Sequence, residues 1–420
     1  MLNQAAGWGG AVERLFHRLP SALDLRDEVQ LESMLDLSDR LIARVERQED
    51  LTGLEALIES SPENWPTGAR VIVKLARSKA MIGRRRVPLR LNVVVPLFSE
   101  HQRIMRPFES PVGEAFLDRK IRELHWLSES SARVSWELTL VDDGCPHQSG
   151  RMAEEILASR HPEAPARVLY LDQAVKIQHP AVEGLRSSRE SQKGGAVHLG
   201  LWEAALKSRR TGGDQVVAFA DADLSTHLGQ LGLLVEALDT PWIQVATGTR
   251  RAATSAVVKS NRRSARGRLF IYLWKKLLPE LAYLDDTQCG FKAMRAHQVH
   301  ALIRSATERS FAFDLELLLH AELLSPRSVA AVPIAWIDSE ASSNTQEVSA
   351  HLKMLQRVVG LSRRANRRDA IREDYAQAIE ALDEKSWRAA IASFGGALES
   401  MDPRLDNENT LVTPASLMAL

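Results

Sequence analysis

Four short apolar runs between Leu91 and Thr247 constrain this chain most, because each ends in a polar or charged cluster. LNVVVPLF (91–98) runs into Ser99, Glu100 and His101, and SWELTLV (135–141) into Asp142-Asp143-Gly144. QVVAFA (215–220) runs into Asp221-Ala222-Asp223, and a run near Ile243–Thr247 into Gly248-Thr249-Arg250-Arg251. Short β-branched runs of this kind read as strands buried on both faces. The segments between them, such as Val112–Ser130 and Met152–Ser159, read as helices. Strands alternating with helices predict an α/β fold with a doubly wound, mostly parallel sheet and right-handed crossovers. In such a sheet the carboxyl ends of the strands open on the ligand crevice. The clusters are therefore expected to face one cleft.

The residue types in that cleft define a chemistry. Asp221 and Asp223, one residue apart at a strand end, offer hard oxygen ligands suited to Mg2+ or Mn2+ carrying a diphosphate. Capping of the following helix by Asp223 or Ser225 is the competing explanation. Glu100, Asp142 and Asp143 are placed to accept hydrogen bonds from a base and a ribose. Lys193, in Lys-Gly-Gly at the start of a helix, and Arg250 with Arg251 are placed to meet phosphates or a charged acceptor.

Composition removes other classes. Lys plus Arg and Asp plus Glu both number 54, so no net charge draws the 420-residue chain to nucleic acid. Two cysteines, Cys145 and Cys289, make neither a disulfide framework nor a metal motif. The N-terminus lacks the pattern of a signal peptide, and no apolar run has the length of a membrane span. A cytoplasmic protein, soluble or peripheral at a membrane, is expected. Positive charge is local: the acid-free stretch 250–276 holds nine Lys and Arg, including Arg263 and Arg266, and runs into the apolar Leu269–Leu278. That stretch is expected to form a basic patch, its apolar part touching lipid or packing as a core helix.

Taken together, VVVPLFSE, VDDG, KGGAV, ADADLS, GTR, DTQCGFK and FDLEL, in this order, resemble the family 2 glycosyltransferases of the GT-A fold. The likeness is greatest to the polyprenyl-phosphate sugar transferase branch, dolichyl-phosphate glucosyltransferases among them. It implies a GT-A domain over 89–345; the regions 1–88 and 346–420 read from their own apolar spacing as helical additions outside the family core, with a disordered tail from Asp402. It implies an inverting hexosyltransferase using a nucleotide-sugar donor, with a UDP-sugar as the expected donor. Pro96, Glu100, Asp142, Asp143, Lys193, Asp221, Asp223 and Arg250 would bind donor, with Asp223 on the metal. Asp221, Arg250 and Asp314 would take part in catalysis, and Gln288, Arg263 and Arg266 would lie on the acceptor side. The acceptor would be a polyprenyl phosphate or a hydroxyl of a soluble molecule. The Gly-Ser-Lys that the family carries after its last strand is absent; Glu340-Ala341-Ser342-Ser343 stands there. A nucleotidyltransferase is disfavoured by the glycine-free loop LFSEHQRIMR, and a degenerate partner-binding module by the intact set of acids.

Overall fold

The computed structural model describes residues 26–44, 48–208, 212–258, 264–338, 348–365, 369–399 and 411–420, with isolated positions nearer the N-terminus. A seven-stranded sheet forms the centre, in the order β3-β2-β1-β4-β7-β5-β8. Its strands are β1 (Leu89–Leu97), β2 (Val134–Asp142), β3 (Ala166–Tyr170), β4 (Asp214–Ala220), β5 (Val245–Thr249), β7 (Phe291–Arg295) and β8 (Val329–Pro333). Neighbours run parallel except β7, which is antiparallel to both β4 and β5. A two-stranded sheet pairs β6 (Ala256–Val258) with β9 (Ala335–Ile337).

The period-2 geometry of a strand divides the core into two layers. Along β1, Val93 and Val95 belong to one cluster and Val94 to the other; along β4, Val216 and Ala218 face one side and Val217 and Phe219 the other. The first layer includes α4 (Phe116–Ser128) and α8 (Leu231–Leu238). It is extended by the N-terminal helices α1 (Glu28–Arg44), α2 (Gln48–Ser60) and α3 (Thr67–Gly83). These helices dock directly on the sheet domain. Arg77 of α3 bridges Glu55 at 2.7 Å and Glu236 at 2.5 Å, and the Trp126 indole donates to Asp39 at 3.0 Å. A Cβ on Gly232 would lie 2.4 Å from the Ser78 carbonyl oxygen, so α3 and α8 approach as closely as glycine permits.

The second layer includes α7 (Gly194–Ser208), α9 (Ser264–Leu277), α10 (Ala296–Ile303) and α11 (Phe313–Leu324). It continues into α12 (Val348–Ala365), α13 (Ala370–Ala381), α14 (Glu384–Glu399) and the short α15 (Pro414–Met418). Leu269 to Trp274, Leu277 and Leu278 are all buried here. The lipid-facing alternative for this stretch is thereby corrected, because the C-terminal helices cover it. Two members of the expected basic patch are paired, Lys275 buried against Asp285 at 2.7 Å and Arg250 held by Asp286, while Lys259, Arg262 and Arg263 lie outside the described residues. The chain's end is ordered in part. Val412 and Leu417 are buried, and the Tyr272 and Tyr375 hydroxyls donate to the Val412 carbonyl. Disorder expected from Asp402 is therefore corrected for residues 411–420, while 400–410 lie outside the described residues.

The apolar run Val329–Ile337 forms two strands, β8 and β9, which belong to different sheets. β7, within DTQCGFK and the residues after it, was not anticipated as a strand and separates β4 from β5.

Candidate active site

The carboxyl ends of β1, β2, β4 and β5 open on one cleft of about 1820 Å³. Pro96, Glu100, Asp142, Asp143, Lys193, Asp221, Asp223, Arg250, Arg266, Gln288 and Asp314 all line it. Of the expected site residues only Arg263 is missing from this account, because it lies outside the described residues.

The two acids after β2 do different things. Asp142 accepts from the backbone N–H of Gly144 at 3.0 Å, Cys145 at 2.8 Å and Gly150 at 2.7 Å. Its carboxylate builds the loop and is not aimed at a ligand. Asp143 accepts from the Lys193 N–H at 2.7 Å through Oδ2, while its buried Oδ1 has no hydrogen-bond partner. A buried acceptor left open in a cleft is an invitation to a ligand N–H. Burial pushes the Asp143 carboxyl up to about 6.

Lys193 joins the ends of β2 and β4. Its backbone holds Asp143, and its ammonium pairs with Asp221 Oδ1. It does so at φ +80°, a left-handed conformation uncommon for a side-chain-bearing residue and often found at functional sites. Burial works to raise the Asp221 pKa, but the ammonium outweighs it and holds the carboxyl below the usual carboxylate range. Asp221 is also fixed from behind. Its N–H donates to the Gly290 carbonyl at 3.0 Å, and a Cβ on Gly290 would sit 2.2 Å from its carboxylate. The glycine of DTQCGFK is thus a steric requirement of the first acid of Asp-Ala-Asp.

Asp223 presents its carboxylate to the cleft. Oδ1 accepts from the Ser225 N–H at 3.1 Å, and Oδ2 lies 3.9 Å from Arg103; neither Asp223 nor Ser225 caps a helix, since the helical turn that follows starts at Leu228 and is capped by His227. The Lys120 ammonium anchors the Asp223 carbonyl at 2.9 Å. Among the described residues no group of three His, Cys, Asp or Glu side chains converges to cage a metal. A hard cation that keeps its waters and is shared with substrate phosphates needs only one or two carboxylates. Asp223 meets that requirement, so the residues fit Mg2+ or Mn2+ arriving with a diphosphate.

Arg103, in the loop after β1, went unnoticed in the sequence. It pairs with Glu100 at 2.5 Å, and its Nη1 is buried without a hydrogen-bond partner beside Asp223. Burial pushes the Glu100 carboxyl up to about 7 against the pull of Arg103. Only its spacing of three from Glu100 in LFSEHQR could have signalled it.

At the other end, Arg250 is clamped by Asp286 through Nε at 2.8 Å and Nη2 at 2.7 Å, and its guanidinium lies over Trp336. The pair keeps Asp286 down at about 2 despite burial. Asp314, in the first turn of α11, pairs with Lys292 at 2.5 Å, and Lys292 is itself fully buried. Burial pushes Asp314 up, with Lys292 pulling it back. Glu316 is committed elsewhere: it accepts from the Thr307 and Glu308 N–H groups and from Arg364. Cys289 is buried, and burial pushes its thiol up to about 12, so it is a packed side chain and not a nucleophile.

No family model matches the chain. Over 259 residues it is 26% identical to a dolichyl-phosphate beta-glucosyltransferase of Mus musculus, covering 60% of this chain and 68% of that protein. Over 267 residues it is 25% identical to one of Trichomonas vaginalis, covering 62% and 67%. The chain resembles the family 2 glycosyltransferases. Among solved structures, glucosyl-3-phosphoglycerate synthase of Mycobacterium tuberculosis, in complex with UDP and Mn2+, aligns with a TM-score of 0.44 at 19% identity, covering 71% of this chain and 86% of that one. The seven-stranded sheet, parallel except for β7 and wrapped by helices, is a doubly wound α/β fold.

Proposed function

We propose that this protein is an inverting glycosyltransferase that moves a hexosyl group from a UDP-sugar to a polyprenyl phosphate. The observation that carries the reading is the meeting of Asp143, Lys193, Asp221 and Asp223, from separate segments, in one cleft. The named relatives act in glucosyl transfer to dolichyl phosphate, which supports the same substrate classes here.

In the proposed reaction an acceptor oxygen attacks the anomeric carbon as the bond to the diphosphate oxygen breaks. The electron pair leaves with the diphosphate, and the configuration inverts. Asp143 Oδ1 accepts an N–H of the base. Lys193 and Asp221 orient the ribose and donor sugar, and Arg103 and Arg250 add positive potential along the diphosphate. Asp223 holds the divalent cation, which when bound supplies charge neutralisation to the leaving group. Lys292 offsets the charge of Asp314, so an incoming phosphate meets a neutralised pair and not a bare carboxylate. A phosphate acceptor is already anionic near neutral pH and needs no general base.

A polyprenyl phosphate resides in a bilayer, so the reading includes cytoplasmic, peripheral contact with a membrane surface. Among the described residues no helix is long and apolar enough to cross one.

Calorimetry of UDP binding with and without Mn2+ tests the donor half. Wild type should bind UDP more tightly with Mn2+, and Asp223→Ala should lose that gain while remaining folded. Equal Mn2+-dependent affinity in the two proteins would refute the assignment. Transfer of radiolabelled sugar to a short prenyl phosphate tests the acceptor half.

A further inference from the structure

Glu316 is buried in the first turn of α11, yet it does not line the cleft. The helix macrodipole favours an acid at this position, but the hydrogen bonds of this carboxylate run to the segment before the helix. It accepts from the Thr307 N–H at 3.0 Å, the Thr307 hydroxyl at 3.1 Å and the Glu308 N–H at 2.7 Å. Arg364, in the last turn of α12, adds a fourth contact at 3.1 Å. Hydrogen bonds to an ionised acceptor are roughly twice as strong as neutral ones, so the carboxylate is a firm anchor for that segment.

The anchored segment supports the turn on which the donor acids depend. The Arg309 carbonyl accepts from the Gln192 N–H at 2.9 Å, immediately before Lys193. A Cβ on Gly194 would lie 2.8 Å from that carbonyl and 2.8 Å from the Phe313 Cβ, so the Lys-Gly-Gly turn lies directly on this backbone. The Arg309 guanidinium contacts His198 of α7, and the Ser310 N–H donates to the Glu308 carboxylate at 2.7 Å. The carbonyl that meets Gln192 is thus held on both flanks. Lys193 needs such support. Its φ of +80° is costly for a residue with a side chain and persists only where the surroundings over-determine it. From that turn its N–H holds Asp143 and its ammonium pairs with Asp221.

We infer that Glu316 is a positioning residue for the donor end of the cleft: it fixes residues 307–310 against the Lys193 turn, and Arg364 ties the C-terminal helices into the same linkage. The place of this linkage in a reaction rests on the glycosyl-transfer reading, whereas the linkage itself rests on the contacts alone. Neither Glu316 nor Arg364 reaches the cleft, so an effect of either on nucleotide binding must pass through the protein.

Two measurements on the full chain test this. Hydrogen exchange by mass spectrometry, over peptides spanning 190–197 and over β1 as a reference, needs no ligand. Calorimetry gives UDP affinity with Mn2+. Glu316→Gln keeps the side-chain shape and removes the charge; Arg364→Ala changes a half-exposed side chain, and it decides by the same readouts if Glu316→Gln does not fold. Exchange over 190–197 should quicken by about tenfold or more in Glu316→Gln and by a few-fold in Arg364→Ala, with β1 unchanged. Arg364→Lys should restore the wild-type rate. UDP with Mn2+ should bind about tenfold more weakly to Glu316→Gln. Combined with Lys193→Ala, the loss should be at least about threefold smaller than the product of the two separate losses, because both act through one turn. Unchanged exchange over 190–197 in the folded variants would overturn the inference. So would a lower melting temperature with UDP affinity intact, the mark of a merely structural role, or fully independent losses in the pair with Lys193→Ala. Absence of UDP binding in wild type, with the exchange response present, would instead refute the donor reading and leave the linkage standing.

Discussion

The proposed donor and acceptor ends of the cleft are built on opposite plans. At the donor end, acids follow directly from the parallel strands β2 and β4, and each is clamped by local backbone or by Lys193. At the acceptor end, the wall comes from the segment before antiparallel β7, from α9 and α11, and from α12, and several donors stand open. Preorganised acids can receive a nucleotide without rearrangement, whereas open donors await the ligand that completes them. A cleft built in this way separates affinity for the donor from selectivity for the acceptor, and substitutions at the two ends should have separable effects.

The largest effect expected joins the two ends. Gly290→Ala places a methyl group within the space of the Asp221 carboxylate, so an acceptor-side segment should disable a donor-side acid. A misplacement near 1 Å can cost about a hundredfold in rate. Turnover should fall at least about that much while circular dichroism remains native. A variant with wild-type turnover would show that Asp221 is not fixed from behind.

Asp314→Asn sharpens the acceptor side. Removing one partner of a buried pair is destabilising, by about 3–5 kcal/mol, so the melting temperature should fall. Rates are therefore compared well below it. With a prenyl phosphate acceptor the rate should drop by less than about tenfold, whereas loss of a general base would cost about 10²–10⁴. A hundredfold loss at full donor occupancy would make Asp314 a base and redirect the acceptor towards a hydroxyl.

Asp143→Asn tests the electrostatic cost of the donor end. Because burial raises this carboxyl to about 6 from an ordinary 3.8, the folded state holds its proton more tightly than the unfolded chain does. Its contribution to stability is thus fully present below about pH 4 and is lost as pH rises through about 6. The variant cannot titrate. Its stability relative to wild type, from urea unfolding, should improve between pH 4.5 and 7.5, by about 2 kcal/mol. A pH-independent difference would mean that the side chain is not held in a charge-disfavouring site.

The smallest effect belongs to Cys289, which lies between the two ends without serving either. Cys289→Ser and Cys289→Ala should keep turnover within a few-fold of wild type, measured by transfer at saturating donor. A drop of several orders of magnitude would give the thiol a role that its burial and raised pKa argue against.

Much of this protein was determined by local sequence. Runs such as QVVAFA pack as buried strands because β-branched and aromatic side chains suit both faces of a sheet, and the polarity change at Asp221 ends the strand at the cleft. The parallel, doubly wound order and the grouping of Glu100, Asp143, Asp221 and Asp223 followed from that alternation alone. Tertiary structure decided the rest. Asp142 and Asp143 are the same residue type in adjacent positions, yet only the folded loop commits one to backbone N–H groups and leaves an oxygen of the other open. β7 runs antiparallel to both β4 and β5, and hydropathy carries no record of strand direction. The stretch LFIYLWKKLL is equally apolar whether it meets lipid or protein; only the C-terminal helices covering it make it core. Periodicity encodes which faces avoid water, while the choice of partner for each face is a non-local property settled by packing.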